Sequence, residues 1–235
     1  MKLSFMSDGK KTVVVIGGGA AGYFAAITAA QTNPSLRVIL LEAGSQVLRK
    51  VKISGGGRCN LTHHCFDPKE LSNKYPRGAK ELRGAFHHWQ PRDTIQWFEQ
   101  RGVKTKVEED GRMFPVTDDS QTVINCLRSE ARKHGVTERL NARVTALRQI
   151  EDQWEIDING EEFLITDKVC LASGSLKQSG LEEILMKLGH TITPLLPSLF
   201  AFNLPRHPLK ELAGVAVQHA SVRTSPKALS RLAPF

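Results

Sequence analysis

Residues 12–42 read TVVVIGGGAAGYFAAITAAQTNPSLRVILLE, and this stretch decides the fold. Thr12–Ile16 is a continuous run of β-branched residues, which is typical of a central parallel strand buried on both faces. The alanine-rich segment Ala20–Gln31 predicts a helix that ends before an Asn-Pro pair. Arg37–Leu41 (RVILL) predicts a second buried strand. The unit is therefore strand, helix, strand with a right-handed crossover, which predicts an α/β fold built on a parallel sheet.

The turn between the first strand and the helix contains glycines spaced G-x-G-x-x-G, at Gly17, Gly19 and Gly22. Gly17 permits a tight turn, Gly19 lets the backbone approach a pyrophosphate, and Gly22 lets the helix and strand pack closely. The helix N-terminus offers unpaired N–H groups and the positive end of its dipole to phosphates. No Gly-Lys-Ser/Thr follows the glycines, which excludes a nucleoside-triphosphate loop. A dinucleotide site is predicted.

Glu42 follows the second strand, twenty residues beyond Gly22. Its carboxylate can accept hydrogen bonds from an adenosine ribose, and it would repel a ribose 2′-phosphate. The alternative is an unliganded turn with a solvated glutamate. The fingerprint by itself does not separate FAD from NAD.

Two later features favour FAD. The loop Ser54–Asn60 (SGGGRCN) can line a flat or anionic ligand with backbone amides and carries Arg58 as a fixed charge, although a plain surface turn is the alternative. Asn159-Gly160 predicts a β-hairpin, and the strand after it ends in Ala172-Ser173-Gly174, whose small residues let the backbone pass near a cofactor. A simple strand-end turn is equally compatible with that ending.

Further along, the pattern from 80 to 102 is helical, and Ser120 is predicted to cap a helix that ends at His134. Lys168–Ala172 predicts another buried strand, and a helix is expected after Gly180. The Pro-rich stretch from 194 to 208 is typical of a domain crossing.

Three segments together resemble a known family: KVKISGGGRCNLT at 50–62, EDGRMFP at 109–115 and LGHTITPLLPS at 188–198. They are similar to the bacterial flavoproteins labelled aminoacetone-oxidase-family FAD-binding or NAD(P)/FAD-dependent oxidoreductases, from Val13 to about Val222. The resemblance implies a Rossmann-like FAD/NAD(P)-binding fold with a parallel sheet and a β-hairpin crossover, plus the start of a second, β-rich domain. It implies FAD as cofactor, NAD(P)H as a candidate electron donor, and hydride transfer involving a small organic substrate. The cofactor-binding residues expected from the fingerprint and the resemblance are Gly17, Gly19, Ala20, Ala21, Gly22, Glu42, Ala43, Lys50, Ser54, Gly55, Gly57, Arg58, Asn60, Val144, Ala172, Ser173 and Gly174.

The sequence departs from the family at two places. Ser175 replaces a glycine of the family's Ala-Thr-Gly-Gly, while Ser173 keeps the hydroxyl. The likeness also fades after Val222. We therefore expect residues 1–192 to form an FAD-binding domain that lacks its C-terminal return segment, and residues 193–235 to begin a truncated, β-rich substrate domain.

The composition and charge of the chain indicate which kinds of partner to expect. The formal net charge is +8, but the basic residues are scattered, which favours a basic surface for anionic cofactors and substrates over a nucleic-acid site. A nucleic-acid-linked flavoprotein, resembling tRNA-modifying relatives, stays as the alternative function, as does a non-catalytic fragment. No apolar run of membrane-spanning length and no signal peptide is present, so no membrane partner and a cytoplasmic protein are expected. The oligomeric state does not follow from the sequence.

No catalytic residue is assigned, because flavin carries the redox chemistry and the protein places the substrate. Candidates by residue type are His63, His64, His87, His88 and His190. Cys59 and Cys65 flank two histidines, but the spacing matches no standard zinc pattern, and no metal site is expected.

Overall fold

The computed structural model describes residues 9–176, 180–194 and 211–212. The chain divides into two compact units, Met1–Thr193 and Pro194–Phe235. Of the second unit only Pro194, Glu211 and Leu212 are described, so the expected β-rich substrate domain lies outside the described residues.

A four-stranded parallel sheet forms the centre of the first unit, in the order β10-β1-β2-β6. Its strands are β1 (Thr12–Ile16), β2 (Arg37–Leu41), β6 (Thr137–Arg139) and β10 (Lys168–Leu171). The predicted strands and the α/β class are confirmed.

Both faces of this sheet are covered, which explains why its central strands are uninterrupted apolar runs. Val15 and Leu40 belong to one core cluster, with α1 (Ala20–Thr32) and α6 (Ser120–Lys133). Val14 and Ile39 belong to a second core cluster on the opposite face.

That second cluster includes residues of an antiparallel three-stranded meander. Its strands are β7 (Val144–Ile150), β8 (Gln153–Ile158) and β9 (Glu162–Thr166). The predicted hairpin at Asn159-Gly160 joins β8 to β9 and is confirmed. The meander leads directly into β10, which pairs with β1 in the parallel sheet. The predicted hairpin crossover is therefore present.

A third sheet is antiparallel, with the strand order β3-β5-β4, and its residues lie between β2 and α6 in the sequence. It comprises β3 (Thr62–His63), β4 (Thr105–Val107) and β5 (Arg112–Pro115). The helices around it are α2 (Arg49–Ile53), α3 (Pro68–Ser72), α4 (Ala79–His88) and α5 (Pro91–Glu99). The last described helix of this unit is α7 (Leu181–Lys187). A 3₁₀ turn at Ser54–Gly57 connects α2 to this region.

The helical pattern predicted from 80 to 102 is present as two helices, because Pro91 cannot donate a backbone N–H within a continuous helix and instead begins α5. The predicted cap of the next helix was wrong. Ser120 does not cap α6. The cap is Asp119, whose carboxylate accepts a hydrogen bond from the N–H of Gln121 at 2.8 Å. Ser120 Oγ instead donates to the carbonyl of Lys52 at 2.9 Å, which ties α6 to α2.

A bidentate ion pair joins the sheet edge to the meander. The Arg139 guanidinium donates to both carboxylate oxygens of Glu162, at 2.8 and 2.5 Å. These hydrogen bonds hold the pKa of Glu162 below its ordinary value. The stability that the pair supplies is therefore present above the unfolded-state pKa of about 4.3, and it is lost as the pH falls through the lower folded-state pKa.

We expect Glu162→Gln to lower the free energy of unfolding at pH 7 by about 1 kcal/mol. The difference from wild type should shrink below pH 4.3 or so, where the wild-type carboxylate also becomes neutral. Urea unfolding at a series of pH values measures this difference in the free energy of unfolding. Glu155→Gln is the matched control, since the partner of Glu155, Arg148, is 62% exposed. A pH-independent difference for Glu162→Gln would contradict the prediction.

Candidate dinucleotide site

The glycine turn after β1 is packed on one side and open on the other. Gly17 has φ +115°, and a Cβ there would lie 2.5 Å from the carbonyl oxygen of Ala172. A Cβ at Gly22 would lie 1.8 Å from the carbonyl oxygen of Gly17. A Cβ at Gly19, in contrast, would meet nothing within 4 Å. Gly17 and Gly22 are thus required by close packing, while Gly19 faces the open space where a ligand can approach the backbone.

The Glu42 carboxylate is held by two backbone N–H groups. One oxygen accepts from Gly18 at 2.9 Å and the other accepts from Gly44 at 2.7 Å. Each carboxylate oxygen can accept further hydrogen bonds, so this arrangement orients the group and leaves it able to bind a ribose hydroxyl. The carboxylate therefore links the glycine turn to the segment that follows β2.

A cleft of about 350 Å³, here called the sheet-edge cleft, lies at the carboxyl ends of β1 and β2. The next strand in sequence, β2, pairs with one edge of β1, while β10 pairs with the other. Ligands of open α/β sheets bind at such a switch in strand order. Six of the predicted cofactor residues line this cleft: Gly17, Glu42, Ala43, Lys50, Val144 and Ser173.

Two cationic residues that line the sheet-edge cleft, Arg49 and Arg143, were not predicted from the sequence. Arg49 is the first residue of α2, and Arg143 directly precedes the predicted Val144. The sequence signal that could have identified them is their position next to residues predicted to bind the cofactor. With Lys50, they give the cleft three positive side chains that suit an anionic ligand.

A second cleft, of about 290 Å³ and here called the loop cleft, lies beside the Ser54–Asn60 loop. Its walls are mainly apolar and include Phe24 and Phe98. Four predicted residues line it: Ala20, Lys50, Ser54 and Asn60.

Lys50 lines both clefts. Its side chain is exposed, and its Nζ lies 3.3 Å from the position that a Cβ would take at Gly174. Within the ranges that the structure describes, Lys50 Nζ has no carboxylate partner in an ion pair. An ammonium group that lines two clefts is suited to a phosphate that bridges them.

The Ser54–Asn60 loop is fixed by its own backbone. Gly55 has φ +56°, and a Cβ there would lie 2.7 Å from both Asn60 N and Phe114 Cε1. Ser54 O accepts a hydrogen bond from Cys59 N at 2.9 Å. Cys59 is buried, and burial raises the pKa of its thiol.

Arg58 has protein partners. Its guanidinium lies 2.5 Å from the Glu108 carboxylate and 3.5 Å from that of Asp118, and it stacks over Phe114 at 4.0 Å from the ring centroid. Arg58 lines neither the sheet-edge cleft nor the loop cleft. Its contacts anchor the loop to β5, and its predicted role as a cofactor contact stays a prediction. The other predicted residues that line neither cleft are Gly19, Ala21, Gly22, Gly55, Gly57, Ala172 and Gly174.

Comparison with known proteins decides the family. The model of the HI0933-like protein Rossmann domain matches residues 11–228. The chain belongs to this family. The HI0933-like family is an FAD-binding Rossmann family among the NAD(P)/FAD-dependent oxidoreductases, and the predicted flavoprotein resemblance is confirmed.

The HI0933-like chain is similar in sequence to two curated enzymes. It is 32% identical over 207 residues to the 3-dehydro-bile acid delta(4,6)-reductase of Clostridium scindens, covering 86% of this chain and 49% of that protein. It is 32% identical over 213 residues to the ribosomal RNA dihydrouridine synthase of Escherichia coli, covering 87% and 52%. The chain thus spans about half the length of the curated relatives it matches. Among solved structures, Thermovibrio ammonificans THI4 is similar with a TM-score of 0.49 and 14% identity, over 77% of this chain and 64% of that one.

The described ranges contain no group of three or more His, Cys, Asp or Glu side chains placed to hold a metal ion. In the same ranges, no helix has both the length and the apolar character to cross a membrane.

Proposed function

We propose that this chain binds FAD across the sheet-edge and loop clefts and serves an FAD-dependent oxidoreductase. The observation that carries the proposal is Lys50, a cation that lines both clefts and has no carboxylate partner among the residues that the structure describes. The adenosine would occupy the sheet-edge cleft at Glu42. The pyrophosphate would lie at Gly19 and Lys50, and the flavin end would extend toward the loop cleft.

The residues fit such a cofactor. Glu42 offers acceptor oxygens for a ribose, and the space beside Gly19 is empty for 4 Å around a hypothetical Cβ. Apolar side chains of the loop cleft, among them Phe98 and Leu127, would exclude water from a flat ring. When bound, FAD supplies the hydride acceptor or donor.

The proposed reaction is hydride transfer between a small organic substrate or NAD(P)H and FAD. The relative named as a bile acid reductase supports a small organic substrate. NAD(P)H as the electron donor is part of the proposal. No side chain is proposed to be catalytic.

A nucleic-acid-linked flavoprotein is the second candidate. The relatives named as ribosomal RNA dihydrouridine synthases, at 32% and 26% identity, support it, as does the net charge of +8. Retention of RNA that falls steeply with salt would favour this candidate. Flavin reduction by NADH or NADPH without RNA would favour the first.

For the second unit we propose that residues 193–235 begin a β-rich domain that contributes to substrate binding. The division of the chain at Thr193 and Pro194 supports a boundary at this position.

The cofactor proposal is tested by releasing the bound ligand. We expect the purified chain to yield FAD after heat denaturation, identified by chromatography against FMN and NAD standards. If the chain is purified empty, titration should give FAD a lower Kd than FMN or NAD, because only FAD offers both the adenosine ribose to Glu42 and an isoalloxazine ring to the loop cleft. FMN as the released ligand, or equal affinity for FMN, would overturn the proposal.

A further inference from the structure

A basic hairpin of helices, defined here as residues 69–92, holds half of the formal net charge of the chain. These 24 of the 235 residues contain six lysines and arginines against two glutamates, which is +4 of the total of +8. Other residues separate the cations in the sequence, so no block of like charge marks them. All six are exposed in the structure: Lys69, Lys74, Arg77, Lys80, Arg83 and Arg92.

None of these six cations forms an ion pair with a carboxylate in the described part of the chain. The acidic groups on either side of the hairpin already accept backbone hydrogen bonds, Asp67 from the N–H of Glu70 and Asp93 from the N–H of Gln90, each at 2.8 Å. The positive charge of the hairpin is therefore available to an anionic partner. The basic residues that do form ion pairs in the described ranges lie in other segments: Arg58, Arg101, Lys106, Arg112, Arg128, Lys133, His134, Arg139 and Arg148.

Backbone hydrogen bonds give the hairpin a defined shape. Its two helices, α3 and α4, pack against each other. In the turn between them, the N–H of Lys74 donates to the carbonyl of Leu71 and the N–H of Tyr75 donates to that of Ser72, both at 3.0 Å. Gly78, at φ +78°, then begins α4. The cations of the turn are thus attached to a folded backbone.

Helix α4 separates its basic residues from its apolar ones. Lys80, Arg83 and His87 are spaced i, i+3 and i+7, so they share one face, and all three are exposed. Leu82 and Phe86 lie on another face and are half-buried. The exposed face of α4 is therefore a row of basic side chains about one helical turn apart.

Two exposed aromatic rings accompany these cations. Tyr75 is 43% exposed and packs on Phe86, with ring centroids 5.6 Å apart. Trp89 is 48% exposed and is oriented by a hydrogen bond from its indole N–H to Thr94 Oγ1 at 2.9 Å. Both residues line one cleft of about 320 Å³, which places them on the same side of the hairpin. Oriented rings among cations suit the stacking of bases along a charged strand.

We propose that the basic hairpin binds a single strand of nucleic acid, with phosphates on its cations and bases stacked on Tyr75 and Trp89. A single strand fits better than a duplex, because its base faces are free to stack on aromatic rings. An anionic membrane surface fits less well, because Leu82 and Phe86 are half-buried and not free to insert. In naming a partner, the proposal deepens and rests on the second candidate function, and it is independent of FAD binding.

The role of the charges is tested with the double variant Lys80→Gln and Arg83→Gln and a short, fluorescein-labelled single-stranded RNA. We expect the affinity measured by fluorescence anisotropy to fall at least about tenfold. The slope of log affinity against log salt concentration should become shallower by about 1.4, because two phosphate contacts no longer release counterions. The matched control is Lys104→Gln with Arg132→Gln, which removes the same residue types from exposed positions outside the hairpin. Equal effects of the two double variants would overturn the inference, since binding would then follow net charge alone.

The role of the rings is tested at Tyr75. Tyr75→Leu should weaken binding of the single strand about tenfold, since one base loses its stacking partner. Tyr75→Phe keeps the ring and should bind as the wild type does. The wild-type chain should bind the RNA duplex of the same sequence more weakly than the single strand. Equal affinities for strand and duplex, or equal affinities of the two Tyr75 variants for the strand, would contradict the inference.

Two further ligands separate the sources of such a strand and the competing partner. Tighter binding of the RNA oligomer than of its DNA counterpart assigns the surface to RNA, and equal or weaker binding assigns it to single-stranded DNA as well. Preferential binding to vesicles that contain anionic lipid would overturn the inference in favour of a membrane surface. Strand binding that the hairpin variants leave unchanged would overturn the inference but not the second candidate function. FAD release is measured on the same preparation, so its absence would refute the cofactor proposal while the hairpin could still bind the strand.

Discussion

Gly22→Ala is expected to destabilise the fold severely, by at least about 3 kcal/mol. The added Cβ would lie 1.8 Å from the carbonyl oxygen of Gly17, and that atom is backbone and cannot rotate away. Relief requires α1 to move off the sheet, which opens the core around Tyr23 and Ile27. Since domains of this size are stable by only about 5–15 kcal/mol, the loss is a large fraction of the total. Urea unfolding measures it.

Gly19→Ala is the matched control, in the same turn. Its Cβ enters empty space at a backbone φ of −89°, which alanine adopts freely, so the stability should stay within about 0.5 kcal/mol of wild type. FAD affinity should fall at least about tenfold, because the methyl group occupies the space through which the backbone meets a phosphate. Equal stability of the two variants would contradict the geometry of the turn, and unchanged FAD affinity in Gly19→Ala would place the pyrophosphate elsewhere.

Glu42→Ala is expected to weaken FAD binding by about 1.5–3 kcal/mol, or roughly 10- to 150-fold, through loss of the ribose hydrogen bonds to an ionised acceptor. The structure adds a second effect. The N–H groups of Gly18 and Gly44 lose their acceptor, which leaves the backbone hydrogen bond from Leu48 N to Gly18 O to join the glycine turn to the segment after β2. We therefore expect a fall of about 1 kcal/mol in the free energy of unfolding without ligand.

Fluorescence titration with FAD and urea unfolding of the ligand-free chain separate these two effects. Glu42→Gln keeps the side-chain volume and one acceptor oxygen, and should be intermediate in both measurements. Glu161→Ala, which removes an exposed carboxylate from the hairpin loop, is the control for net charge. Affinity unchanged in Glu42→Ala would mean that the ribose does not bind in the sheet-edge cleft.

The parts of the fold that were predictable are those set by short-range patterns. Thr12–Ile16 could be assigned as a buried strand because core on both faces demands an unbroken apolar run. The glycine spacing and Glu42 could be placed together because the carboxyl ends of β1 and β2 lie at one edge of a parallel sheet. Pro91 also indicates in the sequence that α4 and α5 are separate helices, but the helical pattern on both sides of it made this division hard to see.

The rest depends on contacts between distant positions. The partners of Arg58, Glu108 and Asp118, lie fifty and sixty residues further along the chain, and no spacing rule connects them. The loop cleft likewise draws its wall from four separate helices, α1, α2, α5 and α6. Such sites arise from tertiary packing, which a single sequence does not encode as a local pattern.

The anchored Ser54–Asn60 loop has a consequence for the thermodynamics of binding. Its glycines occupy left-handed conformations, and Arg58 bonds to Glu108, so contacts within the chain fix the loop. The conformational entropy of ordering this loop is therefore lost when the chain folds and need not be lost again when a ligand arrives. Preorganisation of this kind makes association resemble the meeting of two rigid bodies, so differences in affinity among ligands should reside mainly in how slowly each one leaves.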